Sequence, residues 1–133
     1  MEQQGSCLCG QVRYRLDATF SHFYLCHCQH CQKGSGSAHG ANLFAMGGQV
    51  HWLQGEELLH RFTLPGSRHG RAFCSNCGSP LPYQDGALLL VPAGSLDQAP
   101  TIAPTAHLFL ASRAPWEHNL AALPGFDQLP PGA

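Results

Sequence analysis

Gln11-Val12-Arg13-Tyr14-Arg15-Leu16 alternates polar and apolar side chains, the signature of a strand with one face in a core and one in water. The same reading extends outward along the chain. Short β-type runs occupy 22–25, 41–45, 50–53, 58–64, 87–91 and 107–111, punctuated by turn residues such as Gly10, Gly47-Gly48, Gly55, Pro65-Gly66 and Gly78. Asp85-Gly86 before the apolar 87–91 run predicts a hairpin turn. Helical turns are expected after Cys28 and over 116–123. The pattern predicts a mainly β, mostly antiparallel fold with short helical segments. The 133 residues fit a single domain, with a core over 5–123 and an extended Pro-rich tail over 124–133.

Charged residues make up 11% of the chain, against roughly 25% in an average soluble protein. Seven Lys and Arg against eight Asp and Glu leave a formal charge of −1. Without a basic surplus, neither nucleic acid nor an anionic membrane surface is an expected partner. The longest clearly apolar stretch, 87–91, is far too short to span a bilayer. Met1-Glu2-Gln3-Gln4 is polar and leads into no apolar segment, so no secretory signal is predicted and the expected location is the cytoplasm. In that compartment clustered cysteines bind metal or do catalysis more often than they form disulfides.

The seven cysteines fall into three groups, Cys7-Leu8-Cys9, Cys26-His27-Cys28-Gln29-His30-Cys31 and Cys74-Ser75-Asn76-Cys77. An odd number excludes complete pairing as disulfides. On a strand, Cys7 and Cys9 would project to one face and reach one ion together. Cys74-x-x-Cys77 followed by Gly78 has the spacing of a zinc turn, with Gly78 free to take a positive φ. These two pairs supply four thiolates, enough for a closed tetrahedral zinc site. Cys26, Cys28 and Cys31 remain as three, and three protein ligands with an open position is the catalytic zinc pattern. A histidine would close that site and make it structural. His30, beside Cys31, is the better candidate, because His27 points to the opposite face of a regular strand.

The residues also carry a resemblance. Gly5-Ser6-Cys7-Leu8-Cys9-Gly10-Gln11-Val12-Arg13-Tyr14, the segment from Cys26 to Gly36, and Phe73-Cys74-Ser75-Asn76-Cys77-Gly78-Ser79-Pro80-Leu81 resemble three ordered motifs of the glutathione-dependent formaldehyde-activating enzyme family, which includes centromere protein V. Ala93-Gly94-Ser95-Leu96-Asp97, Pro104, His107 and Pro115-Trp116 follow in the family's order. The resemblance implies a tent-like zinc fold of layered antiparallel sheets. It implies a structural zinc on Cys7, Cys9, Cys74 and Cys77 and a second, catalytic zinc on Cys26, Cys28 and Cys31. It also implies carbon–sulfur lyase activity on adducts of a small thiol, such as glutathione, with an aldehyde. Gln32 departs from the pattern, since a basic residue often follows the third cysteine of the middle motif.

Lys33, the only lysine, stands where a cation can bind a substrate carboxylate, and Arg68 and Arg71 are alternatives for the role. His27 and His30 are the expected proton carriers to and from the hemithioacetal oxygen. Zinc on three thiolates is electron-rich, so sulfur binding is expected rather than water activation. The alternative functions are a non-catalytic zinc module that docks a protein partner, and zinc handling without turnover. Ser95-Leu96-Asp97 reads as a turn, Trp52 and Trp116 as packing residues, and Leu8, Tyr24 and Phe73 as packing around the sulfurs. The oligomeric state is not legible, although an exposed edge strand would permit a dimer.

Overall fold

The computed structural model describes residues 3–132; Met1 and Glu2 of the polar N-terminus, and Ala133 of the tail, lie outside the described residues. In chain order the strands are β1 (Gln3–Ser6), β2 (Arg13–Asp17), β3 (His22–Cys26), β4 (Gly40–Met46), β5 (Gln49–Gln54), β6 (Leu59–Thr63), β7 (Gly70–Cys74), β8 (Pro80–Leu81), β9 (Tyr83–Asp85), β10 (Leu88–Pro92) and β11 (Ala106–Leu108). One α-helix, α1 (Gln29–Ser35), occurs among the described residues. The strands form three sheets, ordered β1-β2-β5, β11-β3-β4-β10-β9 and β6-β7-β8. The fold is mainly β, as the alternation predicts. All strand pairings are antiparallel except that of β11 with β3.

The alternating stretch behaves as its pattern demands. Val12, Tyr14 and Leu16 are buried, while Arg13 is exposed and Arg15 half-buried. They meet Leu43 and Ala45 of β4, Leu89 and Val91 of β10, and Leu81 of β8 in one core. Each fully buried Leu or Val contributes about 1.5–3 kcal/mol relative to exposure. The Tyr14 hydroxyl is buried with them and lies 2.6 Å from Ser95 Oγ, which donates to the Pro92 carbonyl at 2.7 Å. That chain of bonds leaves no room beside the Tyr14 hydroxyl, and a Cβ at Gly5 would overlap it. Asp97, next to this turn, accepts from Ser6 Oγ at 2.7 Å and donates its N–H to the Gln4 carbonyl. The Ser95-Leu96-Asp97 segment therefore ties the third quarter of the chain to its first strand.

The structure differs from the sequence reading at the ends of elements. Gly86, at φ 59°, turns β9 into β10 as the Asp85-Gly86 signal predicts. The 58–64 run begins as a 3₁₀ turn, Glu56–Leu58, before β6. The 107–111 run stops at Leu108, because Phe109 adopts a left-handed φ of 57° and leads into a 3₁₀ turn, Leu110–Ser112. Helix over 116–123 shrinks to a 3₁₀ turn, Leu120–Ala122. Residues 124–132 are exposed and carry neither helix nor strand. No helix among the described residues is long and apolar enough to cross a membrane.

Candidate metal centres and active-site cleft

Backbone turns build the first cysteine group. Cys7-Leu8-Cys9-Gly10 is a tight turn after β1, closed by the Gly10 N–H on the Cys7 carbonyl at 3.0 Å. This corrects the expected strand geometry: a turn, not the pleat, brings the Cys7 and Cys9 sulfurs to 3.5 Å. At the end of β7 the Gly78 N–H donates to the Cys74 carbonyl at 2.7 Å, and Gly78 takes φ 78°, the left-handed conformation its position requires. Cys9 and Cys74 sulfurs are 4.0 Å apart, and all four sulfurs lie within 4.8 Å of one another. A tetrahedron with metal–sulfur bonds of about 2.3 Å has edges of about 3.8 Å, so this donor set fits one metal ion. All seven cysteines are free thiols. Hydrogen bonds from the Cys9 and Ser79 amides hold the Cys77 thiol down to about 6, and burial pushes Cys74 up to about 11. Leu8 is 86% exposed and does not pack on these sulfurs.

The second group sits where β3 passes into α1. Cys26 ends the strand, Cys28 caps the helix by accepting the Cys31 N–H at 3.4 Å, and Cys31 lies in the first turn. Their sulfurs lie within 4.8 Å of one another, and among the described residues no imidazole joins them. Burial pushes the Cys31 and Cys26 thiols up. Burial acts the same way on Cys28, but hydrogen bonds led by the Cys31 amide outweigh it and lower that thiol.

The histidines and Lys33 of this segment go to three different places. His27 is fully buried, with Nε2 2.9 Å from His107 Nδ1 and Nδ1 3.1 Å from Glu117 Oε2. His30 is exposed on α1, its ring centre 5.2 Å from that of His69. Lys33 is exposed in the last turn of α1. Gln32, where a basic residue was expected, donates to the carbonyls of His27 at 2.7 Å and Ser112 at 2.9 Å. It clamps the ligand loop to the segment after β11.

Cys26 and Cys31 open into a cleft of about 340 Å³ between the five-stranded sheet and the β6-β7-β8 sheet. Arg68, His69 and Arg71 line one wall, whereas His27, His30 and Lys33 do not. Burial, then the nearby His30 and Arg71 charges, hold His69 below the usual imidazole range. Two glycines line the cleft at points where a side chain would crowd its neighbours. A Cβ at Gly40 would come within 3.4 Å of Cys31 Cβ, and one at Gly70 would overlap the Tyr83 ring. Sequence reasoning singled out Arg68 and Arg71 but missed His69. Its only signal was adjacency to Arg68, because the contact with α1 is made across 39 residues of chain. Tyr24 and Phe73 are half-buried and Trp52 packs edge-on to Tyr14 at 5.8 Å, but Trp116 is 62% exposed rather than packed.

Comparisons with known proteins agree with this architecture. A crystal structure of a Rhodobacter sphaeroides protein superposes with a TM-score of 0.57 at 19% identity, covering 78% of this chain and 98% of that one. At that identity the likeness is one of fold. A Halomonas elongata protein, provisionally named glutathione-dependent formaldehyde-activating enzyme, is 33% identical over 86 residues, 59% of this chain. The matched region spans about half (53%) of that relative's length. The sequence model of the glutathione-dependent formaldehyde-activating enzyme family matches residues 2–112, a span that holds all three cysteine groups and the whole cleft, and the chain belongs to that family.

Proposed function

We propose that this protein is a zinc-dependent carbon–sulfur lyase that makes and breaks adducts of a small thiol, such as glutathione, with an aldehyde. The observation that carries the reading is the division of labour between the two sulfur groups. Cys26 and Cys31 open into the cleft, while the four-cysteine group contributes nothing to its wall. In this reading Cys7, Cys9, Cys74 and Cys77 hold a structural zinc, and Cys26, Cys28 and Cys31 hold a second zinc with a position left for substrate. Zinc held there would bind the substrate sulfur and lower the pKa of its thiol.

The chain's own residues do the rest. As the adduct forms, the thiol sulfur bonds to the carbonyl carbon, the C=O π pair moves to oxygen, and the thiol proton ends on that oxygen. Breakdown reverses each move. His69 is the imidazole in the cleft wall and carries the proton, with His30 packed against it. His27 stays buried and positions the ligand loop. Arg68 and Arg71 take a substrate carboxylate, and Lys33, one residue from the cleft-lining Gly34, adds positive charge. The reading places the work in a single cytoplasmic domain that needs no nucleic acid or membrane.

The test is the rate of S-hydroxymethylglutathione formation from glutathione and formaldehyde, with zinc-loaded wild type beside Cys31→Ser. Wild type should exceed the buffer rate and Cys31→Ser should fall to it. Equal rates for both would contradict the enzyme reading and favour a zinc-binding module.

A further inference from the structure

The strand β10, Leu88-Leu89-Leu90-Val91-Pro92, is apolar on both faces. The core accounts for only one of them. Leu89 and Val91 are fully buried against Leu43 and Ala45. Leu88 and Leu90 point the other way, into the cleft, with Leu88 37% exposed. Their neighbour β4 repeats the division: Leu43 and Ala45 serve the core, and Phe44, paired in register with Leu90, faces the cleft. An antiparallel sheet with one wetted face alternates apolar and polar residues. Here Phe44, Leu88 and Leu90 form an apolar patch on the face that the core does not use, flanked by Asn42 and by Asp85, and this patch is part of one side of the cavity that holds Cys26 and Cys31.

The opposite wall is different in kind. It carries Arg68 and Arg71, with His69 between them on the hairpin that leads into β7. The Arg71 guanidinium lies 5.0 Å from the Phe73 ring, which fixes its direction. The cavity, about 340 Å³, is in the size range of sites for whole small molecules. The thiol of an adduct shares that volume, and formaldehyde, with two heavy atoms, would add little more than the roughly 30 Å³ share of one water and leave the patch of Phe44, Leu88 and Leu90 to be covered by something else.

We propose that the cleft is built for an adduct with two unlike arms: a carboxylate arm from the thiol against Arg68 and Arg71, and an apolar arm of several carbons from the aldehyde against Leu88, Leu90 and Phe44. The preferred aldehyde is thus aliphatic or aromatic rather than formaldehyde. This rests on the reading of Cys26, Cys28 and Cys31 as the reacting site. Each methylene buried on the apolar wall contributes about 0.8 kcal/mol, about fourfold in affinity, until the wall is covered.

Stable thioethers test the arms without any reaction. S-methyl-, S-butyl- and S-hexylglutathione are titrated into the zinc-loaded full chain by calorimetry. Affinity should rise about fourfold per methylene from methyl to butyl. Leu88→Ser, at a partly exposed position that the fold tolerates, should flatten the series, and Arg71→Ala should weaken all three ligands alike. Equal affinity for methyl and hexyl, or no binding of any of them, overturns the proposal. Turnover distinguishes the two readings. An affinity series with no adduct formation from any aldehyde overturns the lyase reading while upholding the two-armed site; adduct formation at equal rates from formaldehyde and hexanal overturns the site and upholds the lyase.

Discussion

His27, between two clustered cysteines in sequence, meets His107 of β11 with 2.9 Å between Nε2 and Nδ1. Its other ring nitrogen is 3.1 Å from Glu117 Oε2. One N–H between the two imidazoles bridges the His27–His107 contact, and each ring fixes the orientation of the other. The pair fastens the loop of the three cysteines to the last strand, and Glu117 stands beyond the family-matched residues 2–112.

Replacing His107 should therefore loosen the ligand loop from a distance. His107→Ala leaves a fully buried ring nitrogen without its partner, a loss of about 1–3 kcal/mol. Urea unfolding of the metal-loaded protein measures it, and an unchanged midpoint would contradict the pairing.

Tyr14 sets an alkaline limit on stability. Burial pushes its hydroxyl well above the usual phenol range, and the Ser95 hydrogen bond only partly offsets this. The unfolded phenol ionises at about 10, so above that pH the unfolded state loses a proton that the native state keeps. Stability is fully present below about pH 10 and falls above it by up to about 1.4 kcal/mol per pH unit. Denaturation curves from pH 9 to 11 should show this slope in wild type and a shallower one in Tyr14→Phe. Identical slopes would exclude Tyr14 as the cause.

The lowered pKa of His69 predicts the acid side of the activity profile. A neutral imidazole persists to lower pH than usual, so the acid limb of kcat/KM should lie below the ordinary histidine value of about 6.5. His69→Gln should lower kcat by about 10²-fold and remove that limb. A limb that survives the substitution would assign it to another group.

Gly70→Ala should damage the cleft while leaving both sulfur groups in place. The added Cβ overlaps the outer end of the Tyr83 ring, and Arg61 covers one face of that ring at 4.4 Å from its centre, so relief requires the ring to swing toward the cleft it lines. Overpacking of this kind costs about 1–3 kcal/mol. The expected result is a lower melting temperature with unchanged metal content; an unchanged melting temperature would contradict it.

Local pattern carried much of this structure. The alternation from Gln11 to Leu16 is the buried-exposed pattern of β2, and Gly78 takes the positive φ its place after Cys77 demands. The three cysteine groups of the sequence become two sulfur clusters in space. What local pattern could not carry was set by partners far along the chain. The Cys7-Leu8-Cys9 turn closes on Val12 rather than extending β1, and β7 has no alternation strong enough to stand out before its pairing with β6 is known. His69 reaches the cleft only because the β6–β7 hairpin folds over α1. His27 and Lys33 share a motif in sequence, yet one is buried and the other faces solvent, because a strand gives way to a helix between them.

Metal stoichiometry tests the division of the cysteines most directly. Zinc is measured by elemental analysis on wild type and on the Cys26→Ser, Cys28→Ser, Cys31→Ser triple variant, both purified with zinc and dialysed. Two ions per chain in wild type and one in the variant are predicted, with the variant still folded on its four-cysteine site. One ion per chain in both proteins would contradict a metal centre in the cleft.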